Sequence, residues 1–210
     1  MERFTRNKLL PQLHGKIDPR QFARRGHSTT DALLFMLQAI YEAVDCADLG
    51  AQVFFADFWK GFDLIDHNIL MTELRKLEVD PALISWIAAF LTDREQAESM
   101  PQGTKLGVIL FAMMTNNLSA DWHFRVKFVD DMSAIEILPR NSISLLNSIV
   151  SDIHKFSMDP NMSLNSIKCK EMLINFMSYP NFTLRPLVVG NNCIERVSTY
   201  KILRVFIDRP

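Results

Sequence analysis

The sequence predicts an α+β domain in which helices pack on a mixed or antiparallel sheet. Two patterns lead there: four stretches repeat apolar residues at helical spacing, and others alternate apolar with polar residues as a half-buried strand does. The composition agrees with both. Of 210 residues, 48% are hydrophobic and 22% charged, enough apolar side chain for a sizeable core. No internal repeat or low-complexity segment interrupts the chain.

The first predicted helix runs from Ser28 to Cys46, with Ala32, Leu33, Phe35, Met36, Ile40 and Ala43 largely on one face. Ser28 followed by Asp31 is a capping box with the shorter acid in place of Glu, so the helix starts there. Ala51 to Phe58, rich in Val and Phe and preceded by Gly50, reads as a buried strand. Asn68 to Val79 and Pro81 to Leu91 are two more helices, the second opening on a proline that a first turn tolerates. Phe124 to Leu138 alternates on both sides of Asp130 and Asp131, the pattern of a hairpin with an acidic tip. Ile143 to Met158 is again amphipathic and helical, while Lys170 to Phe176, Leu184 to Gly190 and Val197 to Ile207 are expected as strands.

Several function classes fall away. The longest apolar run, Leu106 to Met114, has nine residues against the roughly 18 that a bilayer span needs, so a membrane partner is not expected. The N-terminus lacks the apolar core and cleavage site of a secretory signal, which points to an intracellular protein, nuclear or cytoplasmic. Cys46, Cys169 and Cys193 stand far apart, without a Cys-x-x-Cys pair or a zinc-spaced histidine. The net charge is −1, yet residues 1 to 27 carry seven Lys/Arg against Glu2 and Asp18. Residues 1–20 are therefore expected to form a basic arm, either a solvated tail or one side of a site that meets a phosphate-bearing ligand.

The chemistry-bearing candidates are aspartates at strand ends. Alternation puts Val53, Phe55 and Asp57 on one face, with the carboxylate at the carboxyl end of its strand. Phe124, Val126 and Phe128 lead in the same way to Asp130, with Asp131 beside it on the opposite face. Carboxylates gathered at adjacent strand ends repel one another unless a divalent cation neutralises them, and hard oxygen ligands suit Mg²⁺ or Mn²⁺. The plainer alternative is that each aspartate caps a helix or forms a turn.

Further motifs surround these aspartates. Phe54 to His67 (FFADFWKGFDLIDH), Pro101 to Ala112 (PQGTKLGVILFA) and Lys127 to Ala134 (KFVDDMSA) resemble, in that order, the palm motifs of non-LTR (LINE-like) retrotransposon reverse transcriptases. Gln21 to Leu34 (QFARRGHSTTDALL) is similar to the fingers motif of that family. Leu164 to Phe176 (LNSIKCKEMLINF) and Tyr200 to Asp208 (YKILRVFID) are similar to its later palm motifs. The resemblance implies a right-hand polymerase fold, with fingers and palm over residues 21–210, acting as an RNA-directed DNA polymerase. Its implied partners are an RNA template, a DNA primer and deoxynucleoside triphosphates, and its implied cofactors are two Mg²⁺ or Mn²⁺ ions. By the same resemblance Asp57, Asp130 and Asp131 hold the metals, and Arg24 and Arg25 grip the triphosphate. Phe62 is the aromatic gate against a 2′-hydroxyl, Gln102 and Gly103 line the nucleotide pocket, and Lys168 or Lys170 protonates the departing pyrophosphate.

The chain also departs from the family pattern. The segment Gln21 to Gly26 is one residue short, and His27 stands where an arginine is usual. Thr92 to Met100 runs directly into Pro101, where relatives carry a longer glycine-containing stretch. Arg204 occupies a glycine position, and the chain stops at Pro210, so no thumb is expected. These departures favour an alternative reading, a catalytically silent remnant that binds RNA or a protein partner. No oligomeric state is implied.

Overall fold

The computed structural model describes residues 2–46, 48–59, 66–92, 105–140, 142–158, 162–174 and 184–208. At its centre lies β1 (Leu49–Ala56), buried from Gly50 onward. A strand covered on both faces has to be apolar throughout, as Val53-Phe54-Phe55-Ala56 is. β1 pairs antiparallel with β3 (Asp131–Pro139), Ala56 opposite Met132, and on its other side with β4 (Lys170–Ile174), Phe55 opposite Lys170. β2 (Arg125–Phe128) closes the expected hairpin onto β3, Phe128 opposite Asp131. With β7 (Glu195–Arg196) added parallel to β4, the sheet runs β2-β3-β1-β4-β7. Together with six helices among the described residues this is a mixed α/β fold.

The two faces of the sheet carry separate cores. Ala51, Val53 and Phe55 pack with Val126, Ile135 and the Ala32, Met36, Ile40 stripe of α2 (Thr29–Val44). Phe54 and Ala56 pack with Leu146, Val150 and Ile153 of α6 (Leu146–Met158). The start of α2 follows the sequence: Ser28 and Asp31 form the reciprocal capping box, Ser28 N–H donating to Asp31 Oδ2 at 2.6 Å. α6 starts three residues later than its periodicity suggests. Glu136 accepts the Leu145 and Leu146 N–H groups, at 2.8 and 3.1 Å, and so caps the helix there.

A third core joins α1 (Glu2–Gln12), α3 (His67–Lys76), α4 (Pro81–Thr92) and α5 (Lys105–Met114). This corrects the expectation of a basic arm. Leu9 and Leu13 are buried against Leu70, Leu74 and Leu110, so residues 2–12 form a docked helix, with Arg3 and Lys8 left at the surface. The apolar run at Leu106 to Met114 had no predicted element. It is the helix α5, mostly buried in this core, with Lys105, Val108 and Ile109 left partly open. Among the described residues no helix is long and apolar enough to cross a membrane.

Two expected strands differ. Of Leu184 to Gly190 only β5 (Val188–Val189) pairs, with β6 (Asn192–Cys193). Pro186 has no N–H to give, and the Leu187 N–H is spent on the Glu171 carboxylate at 3.1 Å. Val197 to Ile207 is a hairpin, β8 (Thr199–Ile202) and β9 (Val205–Asp208), rather than one strand. Its turn holds Leu203 at φ 48° and Arg204 at φ 71°, the left-handed pair that a tight hairpin requires. That explains why glycine suits position 204. A side chain in this region costs about 1–2 kcal/mol, and glycine returns about 0.5–1 kcal/mol of that through the greater freedom of the unfolded chain. Arg204→Gly should therefore stabilise the domain by about 0.5–1 kcal/mol, read as a higher urea midpoint with unchanged slope.

Candidate active site

The sheet register brings the strand-end aspartates together. β1 runs towards Ala56 while β3 and β4 start opposite it, so Asp57, Asp131 and Lys170 gather at one end of the sheet. Asp57 and Asp131 lie one step beyond the Ala56–Met132 pair and share a face. Asp131 was expected on the face opposite Asp130. The turn at Val129 and Asp130 breaks the alternation, so face assignment does not carry through it. Val129 sits at φ 57°, a conformation that costs a β-branched residue of order 1–3 kcal/mol, and it sets the direction in which Asp130 leaves the hairpin.

Beyond Asp57 the pairing with β4 is interrupted and then resumes. Phe58 bridges Leu164, and Trp59 N–H donates to Ser163 C=O at 2.7 Å. Between Leu164 and Lys170 the chain is extruded as a turn carrying Lys168. Asn165 N–H donates to Asp57 C=O at 2.8 Å, and Asp57 N–H donates to Cys169 Sγ at 3.3 Å. The two lysines differ in their surroundings. Lys170 Nζ pairs with Glu195 at 3.0 Å and also reaches Ile167 C=O. Lys168 is exposed, and its charge acts more strongly on Asp57 than that of Lys170.

The charges are mutually unfavourable. Burial pushes the Asp57 carboxyl above its ordinary value, as does Asp130, against the opposing pull of Lys168, the Asn165 side chain and Lys170. Burial, Asp130 and Asp57 push Asp131 up to about 6. Burial raises the Cys169 thiol to about 11, which keeps it protonated and rules it out as a nucleophile at neutral pH.

At the hairpin tip lies a cavity of about 690 Å³, bounded by Phe128 and Val129, in which Arg6, Arg24, Arg25, His27 and Lys105 share the lining with apolar side chains such as Leu10, Phe22 and Val108. Arg6 Nε and Arg24 Nε are buried without a hydrogen-bond partner, donors that an anionic oxygen would satisfy. The loop bearing Arg24 and Arg25 is fastened to the aspartate hairpin. Lys127 N–H donates to Arg20 C=O at 3.0 Å, and Phe22 N–H to Lys127 C=O at 2.8 Å. Beneath them Asp18 takes a forked pair from Arg125, Nη2 to Oδ1 at 2.6 Å and Nε to Oδ2 at 2.9 Å, with Lys127 Nζ at 2.7 Å.

The match to known families decides what this arrangement belongs to. The family model described as "Reverse transcriptase (RNA-dependent DNA polymerase)" matches residues 1–203. The chain belongs to that family. No curated protein matched the sequence. Membership implies, in general terms, an RNA template and nucleotide substrates.

In this reverse transcriptase domain, Asp57, Asp130 and Asp131 are brought together, with Lys168 and Lys170 beside them and Arg24 and Arg25 at the cavity. Phe62, Gln102, Gly103 and residues 93–100 before Pro101 lie outside the described residues. Among the described residues no group of three or more His, Cys, Asp or Glu side chains is arranged to hold a metal ion by itself. The donor chemistry nevertheless fits Mg²⁺, which is ordinarily held by one or two carboxylates and completed by substrate phosphates and water.

Sequence reasoning missed four residues. Arg6 and Lys105 join the cavity from α1 and α5, elements that were not foreseen. Asn165 touches Asp57, and its only signal was its place three residues before Lys168. Tyr200 stacks on Phe55 at 4.1 Å and 21°, docking the β8–β9 hairpin on the sheet. Burial and the charges of Asp131 and Asp57 push its phenol up to about 12, so it stays a neutral donor beside the acids.

Proposed function

We propose that the chain is the fingers and palm of an RNA-directed DNA polymerase of the non-LTR retrotransposon type, joining a primer hydroxyl to an incoming deoxynucleoside triphosphate. The observation that carries the reading is the convergence of Asp57, Asp130 and Asp131 at one sheet end, next to a cation-lined cavity of about 690 Å³. Divalent cations bound at those carboxylates would lower the pKa of the attacking hydroxyl and offset charge on the leaving pyrophosphate.

The chain's own residues supply the rest. Arg24 and Arg25, with Arg6 and Lys105, bind phosphate oxygens from the cavity wall. Lys168 is the proton donor to the departing pyrophosphate, because Lys170 is engaged with Glu195. On the motif resemblance alone, Phe62 excludes the 2′-hydroxyl, and Gln102 and Gly103 border the nucleotide.

The test is primer extension by the purified chain on an RNA template with Mg²⁺. Incorporation of the complementary deoxynucleotide alone is expected, and a folded chain that yields no product overturns the reading in favour of a binding module. Arg24→Gln and Arg25→Gln test the cavity. Each removes a charge-assisted hydrogen bond worth about 1.5–3 kcal/mol, so KM for the triphosphate should rise about 10- to 100-fold while kcat changes less.

A further inference from the structure

The cavity at the hairpin tip has two unlike ends. α1 lines it with Arg6 and, one turn on, Leu10, while α5 lines it with Lys105 and then Val108 and Ala112 on the same face. Each helix thus enters the cavity on a cation and continues on apolar side chains, over a rise of about 10 Å from Lys105 to Ala112. The two apolar ends lie together. Asn116, just past α5, accepts the Asp18 N–H at 2.7 Å and donates to Lys16 C=O at 3.1 Å, which seats Ile17, the next lining residue after Leu10, beside that end of α5. The cations face no counter-charge in the cavity, since no Asp or Glu is among the described residues that line it. Arg6 Nε and Arg24 Nε are buried without a partner, while Arg24 Nη2 donates to Pro19 C=O at 3.4 Å.

We propose that this cavity is a binding site for an amphipathic anion, a phosphate carried on an aromatic body, with its head on Arg6 and Arg24 and its body on Leu10, Ile17 and Ala112. The head is specified by the two orphaned donors, because a charged oxygen removes the penalty of burying them unpaired. The body is specified by the apolar end, to which Phe22 and Phe128 add aromatic rings. A polyphosphate alone would serve the cations and leave that surface in water. The volume, about 690 Å³, is that of a site for one small molecule, and such sites are mostly apolar with a few polar groups that fix orientation. Because Arg24 also serves the triphosphate, the ligand excludes the nucleotide. That competition rests on the polymerase reading, whereas the binding does not.

Isothermal titration calorimetry of the full chain with 1-naphthyl phosphate, inorganic phosphate and 1-naphthol tests the site, at fixed ionic strength and with EDTA present so that no cation bridges to the aspartates. The ester is expected to bind one to one and at least about tenfold tighter than either fragment. Arg6→Gln should weaken the ester about tenfold or more and inorganic phosphate with it. Leu10→Gln should weaken the ester about 3- to 10-fold and change inorganic phosphate less than about twofold. Leu10 belongs to none of the three cores, so its replacement spares the fold. In primer extension the ester should raise the apparent KM for the triphosphate and leave kcat. Leu10→Gln should weaken that inhibition about 3- to 10-fold, with KM in the absence of ester changed less than about twofold.

An ester that does not bind, that binds no tighter than inorganic phosphate or 1-naphthol, or whose affinity is indifferent to Arg6→Gln or Leu10→Gln would overturn the site. Should Leu10→Gln fail to fold by circular dichroism, the wild-type ratio of affinities for ester and inorganic phosphate decides. Inhibition that lowers kcat and leaves KM puts the ester elsewhere and overturns the proposal. The expected calorimetric losses in a chain that extends no primer support the site and overturn the polymerase reading. Primer extension by a chain that binds no ester does the reverse.

Discussion

Asp130→Asn is expected to abolish nucleotide incorporation while making the cation-free domain more stable, two effects of opposite sign from one change. The loss follows from the proposed role. Charge stabilisation by a bound cation is worth several kcal/mol, so removing a ligating carboxylate should slow incorporation by about 1,000-fold. The gain follows from the electrostatics. Asp130 raises both Asp57 and Asp131, and Asp131 reaches about 6. A carboxyl whose folded pKa lies above its unfolded value contributes stability that is present below the unfolded value near 4, and that stability is lost as pH rises through about 6. At pH 7 the ionised cluster therefore opposes folding, and Asn in place of Asp130 relieves it. Melting curves at pH 4.5 and pH 7 check the sign: the stabilisation by Asp130→Asn should be larger at pH 7. A variant that loses activity and stability together would mean that Asp130 serves the fold rather than the reaction.

The largest loss of stability should come from Asp18→Ala. Asp18, Arg125 and Lys127 are 6%, 6% and 2% exposed, so the aspartate is the counter-charge of two cations in the interior. Removing one member of a buried ion group costs about 3–5 kcal/mol, because the partners stay buried without compensation. In a domain of this size that lowers the melting temperature by about 6–20 °C. Burial already pushes the Lys127 ammonium down to about 8 against the pull of Asp18, and without Asp18 it falls further. Burial would raise the Asp18 carboxyl, but Arg125 and Lys127 outweigh it and hold the group below its ordinary value. Its contribution is thus present above the unfolded value and disappears as pH falls through the folded one. Replacing all three together (Asp18→Leu, Arg125→Met, Lys127→Met) should recover most of the loss, since well-packed apolar residues often substitute for a buried ion group. The cluster joins the loop of Arg24 and Arg25 to β2, the strand that leads into the Asp130 turn, so the melting temperature of the triple variant separates fold stability from the geometry of the site.

Much of this was legible because local rules agreed with the tertiary structure. Ser28 and Asp31 name the start of α2, and Phe124 to Leu138 names a hairpin whose tip is Asp130, because capping and alternation are decided within a few residues. The meeting of Asp57 with Asp131 was legible only as motif order. The contact itself depends on the β1–β3 register, a pairing of residues some eighty positions apart. Asp18 read as one acid in a basic segment, since nothing near it marks Arg125 and Lys127 as its partners. α1 and α5 were missed for opposite reasons. The charges of α1 hide the buried Leu9, with Leu13 just beyond its end, and α5 is apolar almost throughout and so lacks the periodicity that announces a surface helix. The left-handed turn at Leu203 and Arg204 carries no glycine, so the hairpin read as a single strand.

The central claim is that Asp57, Asp130 and Asp131, from two strands and the turn between β2 and β3, form one cation-dependent centre. Titration of Mn²⁺ followed by electron paramagnetic resonance, with wild type, Asp57→Asn and Asp130→Asn in the presence of a complementary triphosphate and RNA-templated primer, tests it most directly. The expected result is Mn²⁺ bound by the wild type and affinity reduced at least about tenfold in each single variant, because every ligand serves the same ions. Equal Mn²⁺ binding by wild type and both variants would contradict the claim.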